Sequence, residues 1–217
     1  MNFDAARQIM VDSQIRPNDV SGPAIVSAFL RTPREAFVPT SKKPVAYSET
    51  EIETSDGRAL WTPCDTAKLI KAADVQPTDI ALVIGAGAGY EVALLTHLAE
   101  TVIALEESDD LVDEMIERFA GLHIDRAVPV TGKLVDGLAG EAPFDVIYVC
   151  GMVQSVPDAW TAQLSEKGRL VVVEDEGRGI GRGKVYTRAG DVVGRRDVFD
   201  AYPPRFAQFD KTVGFVL

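Results

Sequence analysis

Between residues 79 and 175, short continuous apolar runs alternate with amphipathic helical patterns, and this rhythm constrains the fold more than any other feature of the chain. The runs are DIALVIG (79–85), TVIALE (101–106), AVPVT (127–131), FDVIYVC (144–150) and RLVVVE (169–174). Most are unbroken rather than alternating, as parallel strands covered on both faces require. Among the helical patterns, SDDLVDEMIERFAGL (108–122) is the clearest. Ser108 is a candidate N-cap, Asp109 and Asp110 fill the first turn, and Leu111, Met115, Phe119 and Leu122 share one face. Strand and helix in alternation predict an α/β chain with a doubly wound, mostly parallel sheet.

The flanks read differently. AARQIMVDSQI (5–15) and GPAIVSAFLRT (22–32) look helical, and Pro33, Pro39 and Pro44 break the next segment, so residues 1–75 are expected to form a helical and loop cap. Residues 76–176 would be the core, and 177–217 a C-terminal β-hairpin and tail, the whole forming one domain. In that hairpin KVYTR and VVGRRDVF would be joined by a three-residue turn at Ala189-Gly190-Asp191. The EDEGRGIGRGK stretch (174–184) reads as a solvated glycine-rich loop, with Arg178, Arg182 and Lys184 as candidate anion contacts. The YPPRF stretch (202–206) has no assignment from sequence.

Composition narrows the function. A net charge of −11 argues against a nucleic-acid partner, which needs clustered Lys and Arg. No apolar stretch approaches the roughly 20 residues of a membrane span, and the N-terminus lacks a secretion-signal pattern, so a cytoplasmic location is expected. Cys64 and Cys150 are the only cysteines and His97 and His123 the only histidines, without metal-ligand spacing; no metal is expected.

The candidate site begins at VIGAGAGY (83–90), where a strand breaks into a glycine loop that feeds a helix. Glycines fall at 85, 87 and 89, and Tyr90 stands where the dinucleotide fingerprint would carry its last glycine. That spacing suits a nucleoside ligand without a pyrophosphate, such as S-adenosyl-L-methionine, and disfavours a dehydrogenase. Glu106, ending the next strand about twenty residues later, can reach two ribose hydroxyls. The cofactor-binding candidates are therefore Gly85, Gly87, Gly89, Tyr90 and Glu106.

VIGAGAGY, ALEES, PFDVIYV and VPDAWTAQLSEKGRLVVV, preceded by MVDSQIRPNDV, TPREAFVP and AYSE in the same order, resemble the protein-L-isoaspartate O-methyltransferase family. PREAFVP is the most specific of these, and the resemblance covers most of the chain to about residue 175. It implies a Rossmann-like fold of the class I methyltransferase type, S-adenosyl-L-methionine as methyl donor, a protein or peptide carboxylate as acceptor, and repair of isoaspartyl residues.

Three positions depart from the family pattern. A threonine-isoleucine-serine run stands beside the transferred methyl in the family; here the serine position, anchored on Pro63, is Trp61. Thr62 is the nearest hydroxyl and the catalytic candidate, although Thr62-Pro63-Cys64-Asp65 also reads as a helix cap; Trp61 would wall the acceptor side. An acidic residue two before the first glycine is replaced by Val83. A glycine-aspartate-glycine turn facing the adenine amine becomes Gly132-Lys133-Leu134, so Gly132 and Lys133 complete the cofactor-binding set, with Asp136 three residues on. Two alternatives stay open: a diverged methyltransferase with another acceptor, and a non-catalytic protein that keeps the fold.

Overall fold

The computed structural model describes residues 2–54, 57–177 and 180–210. Helix α1 (Phe3–Met10) runs into a π-turn (Val11–Ile15), and α2 (Pro23–Arg31) follows. A small antiparallel hairpin, β1 (Ile52–Glu53) and β2 (Ala59–Leu60), precedes α3 (Pro63–Ala73). Then come β3 (Ile80–Ile84), α4 (Tyr90–Leu95), β4 (Thr101–Glu106), α5 (Asp109–Leu122) and β5 (Ala127–Thr131). The chain continues through β6 (Phe144–Val153), α6 (Asp158–Ala162), β7 (Leu164–Asp175), β8 (Gly181–Ala189) and β9 (Val192–Ala201). The predicted mostly parallel sheet is present: seven strands in the order β5-β4-β3-β6-β7-β8-β9, parallel from β5 to β7 and antiparallel from β7 to β9.

Because successive strand residues point to opposite faces, the apolar runs feed two separate cores. Ala81, Val83, Val102, Ala104, Val146, Tyr148, Val171 and Val173 face the N-terminal helices, while Leu82, Ile84, Leu105, Ile147, Val149, Leu170 and Val172 face Trp160 and Phe206. Continuous apolar runs are what a sheet covered on both sides demands. Helix α5 follows its expected boundaries: Ser108 accepts from the Leu111 N–H at 3.4 Å, Leu111, Met115 and Phe119 are buried, and Leu122 is half-buried.

The expected C-terminal hairpin is present as β8 and β9, but its extent and turn differ from the sequence reading. The stretch expected to be a loop is β8 from Gly181 onward, and the hairpin turn is the two-residue Gly190-Asp191, since Ala189 pairs with Val192. Strand pairing with β7 and β9 outweighs the low strand propensity of the glycines. Arg182 lies 2.5 Å from Asp200, and Lys184 is buried between Glu174 (3.3 Å) and Glu176 (2.6 Å), so both cations are already paired within the sheet. Arg178 lies outside the described residues.

The PREAF segment binds the cap together. Arg34 is fully buried; its guanidinium donates to the Ala46 carbonyl at 2.8 Å and to the Trp61 carbonyl, and lies 4.7 Å from the Tyr90 ring centroid. Glu35 accepts from the Tyr47 hydroxyl and from Arg7, and Phe37 meets Tyr90 edge-on at 5.4 Å. The motif that carried most of the resemblance is thus architectural: it clamps two loops onto the helix that follows the glycine loop.

Candidate functional site

In this strand order the chain turns to opposite sides of β3, so a crevice opens beyond the carboxyl ends of β3 and β6. Gly85, Gly87 and Gly89 all adopt positive φ (71°, 53° and 86°), a region where a Cβ is costly. They wrap the loop around the end of β4, where the Gly87 N–H donates to Glu106 at 2.9 Å. Glu106 has no exposed surface. The loop and the carboxylate expected from sequence therefore meet.

Other groups meet there too. Arg58, immediately before β2, donates from Nε and Nη2 to the two Glu106 oxygens at 3.1 and 2.6 Å. The Glu107 N–H adds a fourth donor at 3.0 Å. With the Gly87 N–H this makes two donors on each carboxylate oxygen. Phe206 fills the crevice beside them: a Cβ at Gly85 would run into its ring, and one at Gly151, near the end of β6, would lie 2.6 Å from it. Arg58 also sits 4.8 Å from the Phe206 ring centroid, in cation–π range. Leu134 closes another side, 3.5 Å from the Gly85 Cβ position. Sequence reading missed Arg58, Phe206, Leu134 and Gly151. Arg58 and Phe206 carry no local signal; Gly151, closing an apolar strand, was the one hint of a close approach.

The remaining candidates do not touch the Glu106 carboxylate, although the Gly132 N–H donates to the Glu106 backbone carbonyl at 2.9 Å. The Tyr90 side chain turns to the N-terminal cap, fully buried among Phe29, Phe37 and Arg34, where burial pushes its hydroxyl up to about 12. Its position at the first residue of α4 directs the ring away from the crevice. Gly89 faces Phe119 and Met115 rather than the crevice. Gly132 abuts Leu105, with a Cβ position 3.0 Å from its Cδ1, and Lys133 is exposed just before a 3₁₀ turn at Leu134–Asp136. Asp136 is exposed, its carbonyl accepting from Gln163. Val83 is buried in the sheet.

Trp61 is 1% exposed; its indole N–H donates to the Cys150 carbonyl at 3.2 Å, and its ring lies 6.5 Å from Tyr148. Thr62 accepts from the Asp65 N–H at 3.2 Å and caps α3, with Pro63 at the first helical position. Burial raises the Cys150 thiol well above its ordinary range, which leaves it a protonated packing residue. No group of three or more potential metal ligands occurs among the described residues, and no helix there is long and apolar enough to cross a membrane.

A family model described as protein-L-isoaspartate(D-aspartate) O-methyltransferase matches residues 6–193. A protein-L-isoaspartate O-methyltransferase of Koribacter versatilis is 34% identical over 170 residues, 78% of this chain and 77% of that protein. A solved structure of the same name superposes with a TM-score of 0.79 at 22% identity, covering 94% of this chain, which spans 65% of that chain's length. A Plasmodium falciparum structure given the same enzyme designation, in complex with S-adenosyl-L-homocysteine, has a TM-score of 0.77 at 20% identity and covers 94% of this chain and 98% of that one.

Proposed function

The chain belongs to the protein-L-isoaspartate O-methyltransferase family, and from that premise we propose that it methylates the isoaspartyl carboxylate of damaged proteins, with S-adenosyl-L-methionine as donor. The observation that carries this reading is the meeting of the glycine loop with Glu106 at the crevice between β3 and β6. The backbone and the carboxylate are of the kind a nucleoside needs: positive-φ glycines that let a ligand pass close, and a buried acceptor for two hydroxyls. Arg58 and Phe206 stand in the same space.

The donor supplies an electrophilic methyl on a sulfonium. The acceptor carboxylate is already an anion at neutral pH, so the protein's part is alignment and exclusion of water rather than proton transfer. In that division of labour Gly85 and Gly87 provide the close backbone, Glu106 orients the donor, and Trp61 walls the acceptor side. Thr62 serves the fold as a cap. With its N–H committed to Cys150, Trp61 brings no free side-chain hydrogen-bonding group to the acceptor, which supports, as a second reading, a diverged methyltransferase with another acceptor.

The test is transfer of labelled methyl from S-adenosyl-L-methionine to a peptide containing one isoaspartyl residue, against the same peptide with aspartate. Label on the isoaspartyl peptide alone is expected. Binding of the donor with transfer to neither peptide would move the assignment to another acceptor.

A further inference from the structure

Arg58 and Phe206 offer Glu106 and the crevice what a nucleoside would offer. The guanidinium gives two N–H donors to the two carboxylate oxygens at 2.6 and 3.1 Å, in the place of a ribose diol. The Phe206 ring lies against Gly85 and Gly151, in the place of a ligand's flat or apolar part. The two side chains stack on each other at 4.8 Å, so they form one unit. We propose that this pair is an internal pseudo-ligand: it occupies the donor site in the resting protein, and the methyl donor binds only by displacing it.

The proposal rests on the methyltransferase reading and adds the regulation of that same site. Three observations support it. First, Glu106 is saturated, with two donors on each oxygen and no exposed surface, so two hydroxyls can join only if donors leave. Second, a Cβ at Gly85 or Gly151 would fall within 2.6 Å of the Phe206 ring, so no ligand atom can pass these glycines while the ring is there.

Third, both side chains are carried by segments outside the seven-stranded sheet, so moving them leaves its ladder intact, although Phe206 must leave its packing on Phe209. Arg58 immediately precedes the two-residue strand β2, with its carbonyl accepting from the Thr54 N–H at 2.8 Å. Phe206 follows β9 on a stretch tied to β6 by two backbone bonds, Met152 N–H to Pro204 and Phe206 N–H to Met152, each 2.9 Å. Against displacement, Arg205 lies 3.4 Å from Asp175 and 2.7 Å from Asp210, surface ion pairs that moving the stretch must break. Removing the occupant removes a competing equilibrium, and apparent affinity rises by the reciprocal of the open fraction.

The experiment is calorimetric titration of S-adenosyl-L-homocysteine into the unmodified chain, Phe206→Ala, Arg58→Gln and the double variant, each checked by thermal melting. It is paired with amide hydrogen exchange on the unmodified chain at saturating ligand. The expected result is at least tenfold tighter binding by Phe206→Ala than by the unmodified chain, and faster exchange at Met152 and Phe206 when ligand is bound. Exchange that slows there, or variants that bind no better than the unmodified chain, would overturn the pseudo-ligand and leave the methyltransferase reading intact. Absence of binding by every form, the double variant included, would overturn it as the barrier and take the donor assignment down as well. Should a variant fail to fold, the exchange measurement on the unmodified chain decides alone.

Discussion

Glu91 offers the sharpest quantitative test of how the loop region is packed. It occupies the first turn of α4, directly after the glycine loop, and is 3% exposed with no hydrogen-bond partner at Oε1. Burial pushes its carboxyl from an ordinary 4.5 up to about 7, against smaller opposing effects from a backbone hydrogen bond and the Arg34 charge. Because the folded value is the higher one, the folded state holds this proton more tightly than the unfolded chain. The resulting stability is fully present below about pH 4.5 and is lost as pH rises through about 7. At about 1.4 kcal/mol for each tenfold in proton affinity, the difference amounts to about 3 kcal/mol.

Glu91→Gln keeps the shape and removes the titration. Chemical denaturation of both proteins at about pH 5 is expected to give stabilities within about 1 kcal/mol of each other. At about pH 8 the Gln variant should be the more stable by about 3 kcal/mol. Taking the difference between the two curves cancels the other raised carboxyls, Glu51 and Asp65, which titrate in both. Parallel curves across that range would show that Glu91 is solvated or paired in solution and would refute the reasoning.

Thr62→Ala should cost about 1 kcal/mol in denaturation while Thr62→Asp retains stability; a stable Thr62→Asp protein that loses methyl transfer would place the hydroxyl in the chemistry instead. Gly89→Ala meets both a φ of 86° and a Cβ 2.7 Å from Phe119, so a loss of about 2–4 kcal/mol is expected from backbone strain plus overpacking. Gly121→Ala, helical with nothing within 4 Å of its Cβ position, should instead gain about 0.5–1 kcal/mol; equal effects at the two glycines would contradict the geometry. Tyr148→Phe removes a buried hydroxyl that has no partner, and its melting temperature should hold or rise. A loss above about 1 kcal/mol there would mean that the hydroxyl is bonded in solution.

The sheet and its main helix were legible because their signals are local. Continuous apolar runs and the Ser108 cap follow from what each residue can bury or bond within a few neighbours, and TVIALE and AVPVT match β4 and β5 residue for residue. The C-terminal strands were less legible, since Gly181–Lys184 is a strand only because β7 and β9 lie on either side of it. Arg182 and Lys184 looked available for a ligand until the sheet set acidic partners beside them.

The same division runs through the site. The sequence by itself determined the glycine loop and Glu106, because glycine spacing at a strand end and a carboxylate on the next strand are properties of the chain's order. It also determined the Thr62 cap, whose bond spans three residues. Only the tertiary structure decided what fills the crevice. Arg58 is 48 residues from Glu106 in sequence, and Phe206 lies more than a hundred beyond Gly85; neither is distinguished from an ordinary surface arginine or core phenylalanine by its neighbours. Tyr90 likewise followed the helix it begins rather than the loop it ends. Local patterns report which backbone a ligand can approach, but occupancy of the space depends on side chains brought from afar, and those are chosen by packing and charge once the fold has closed.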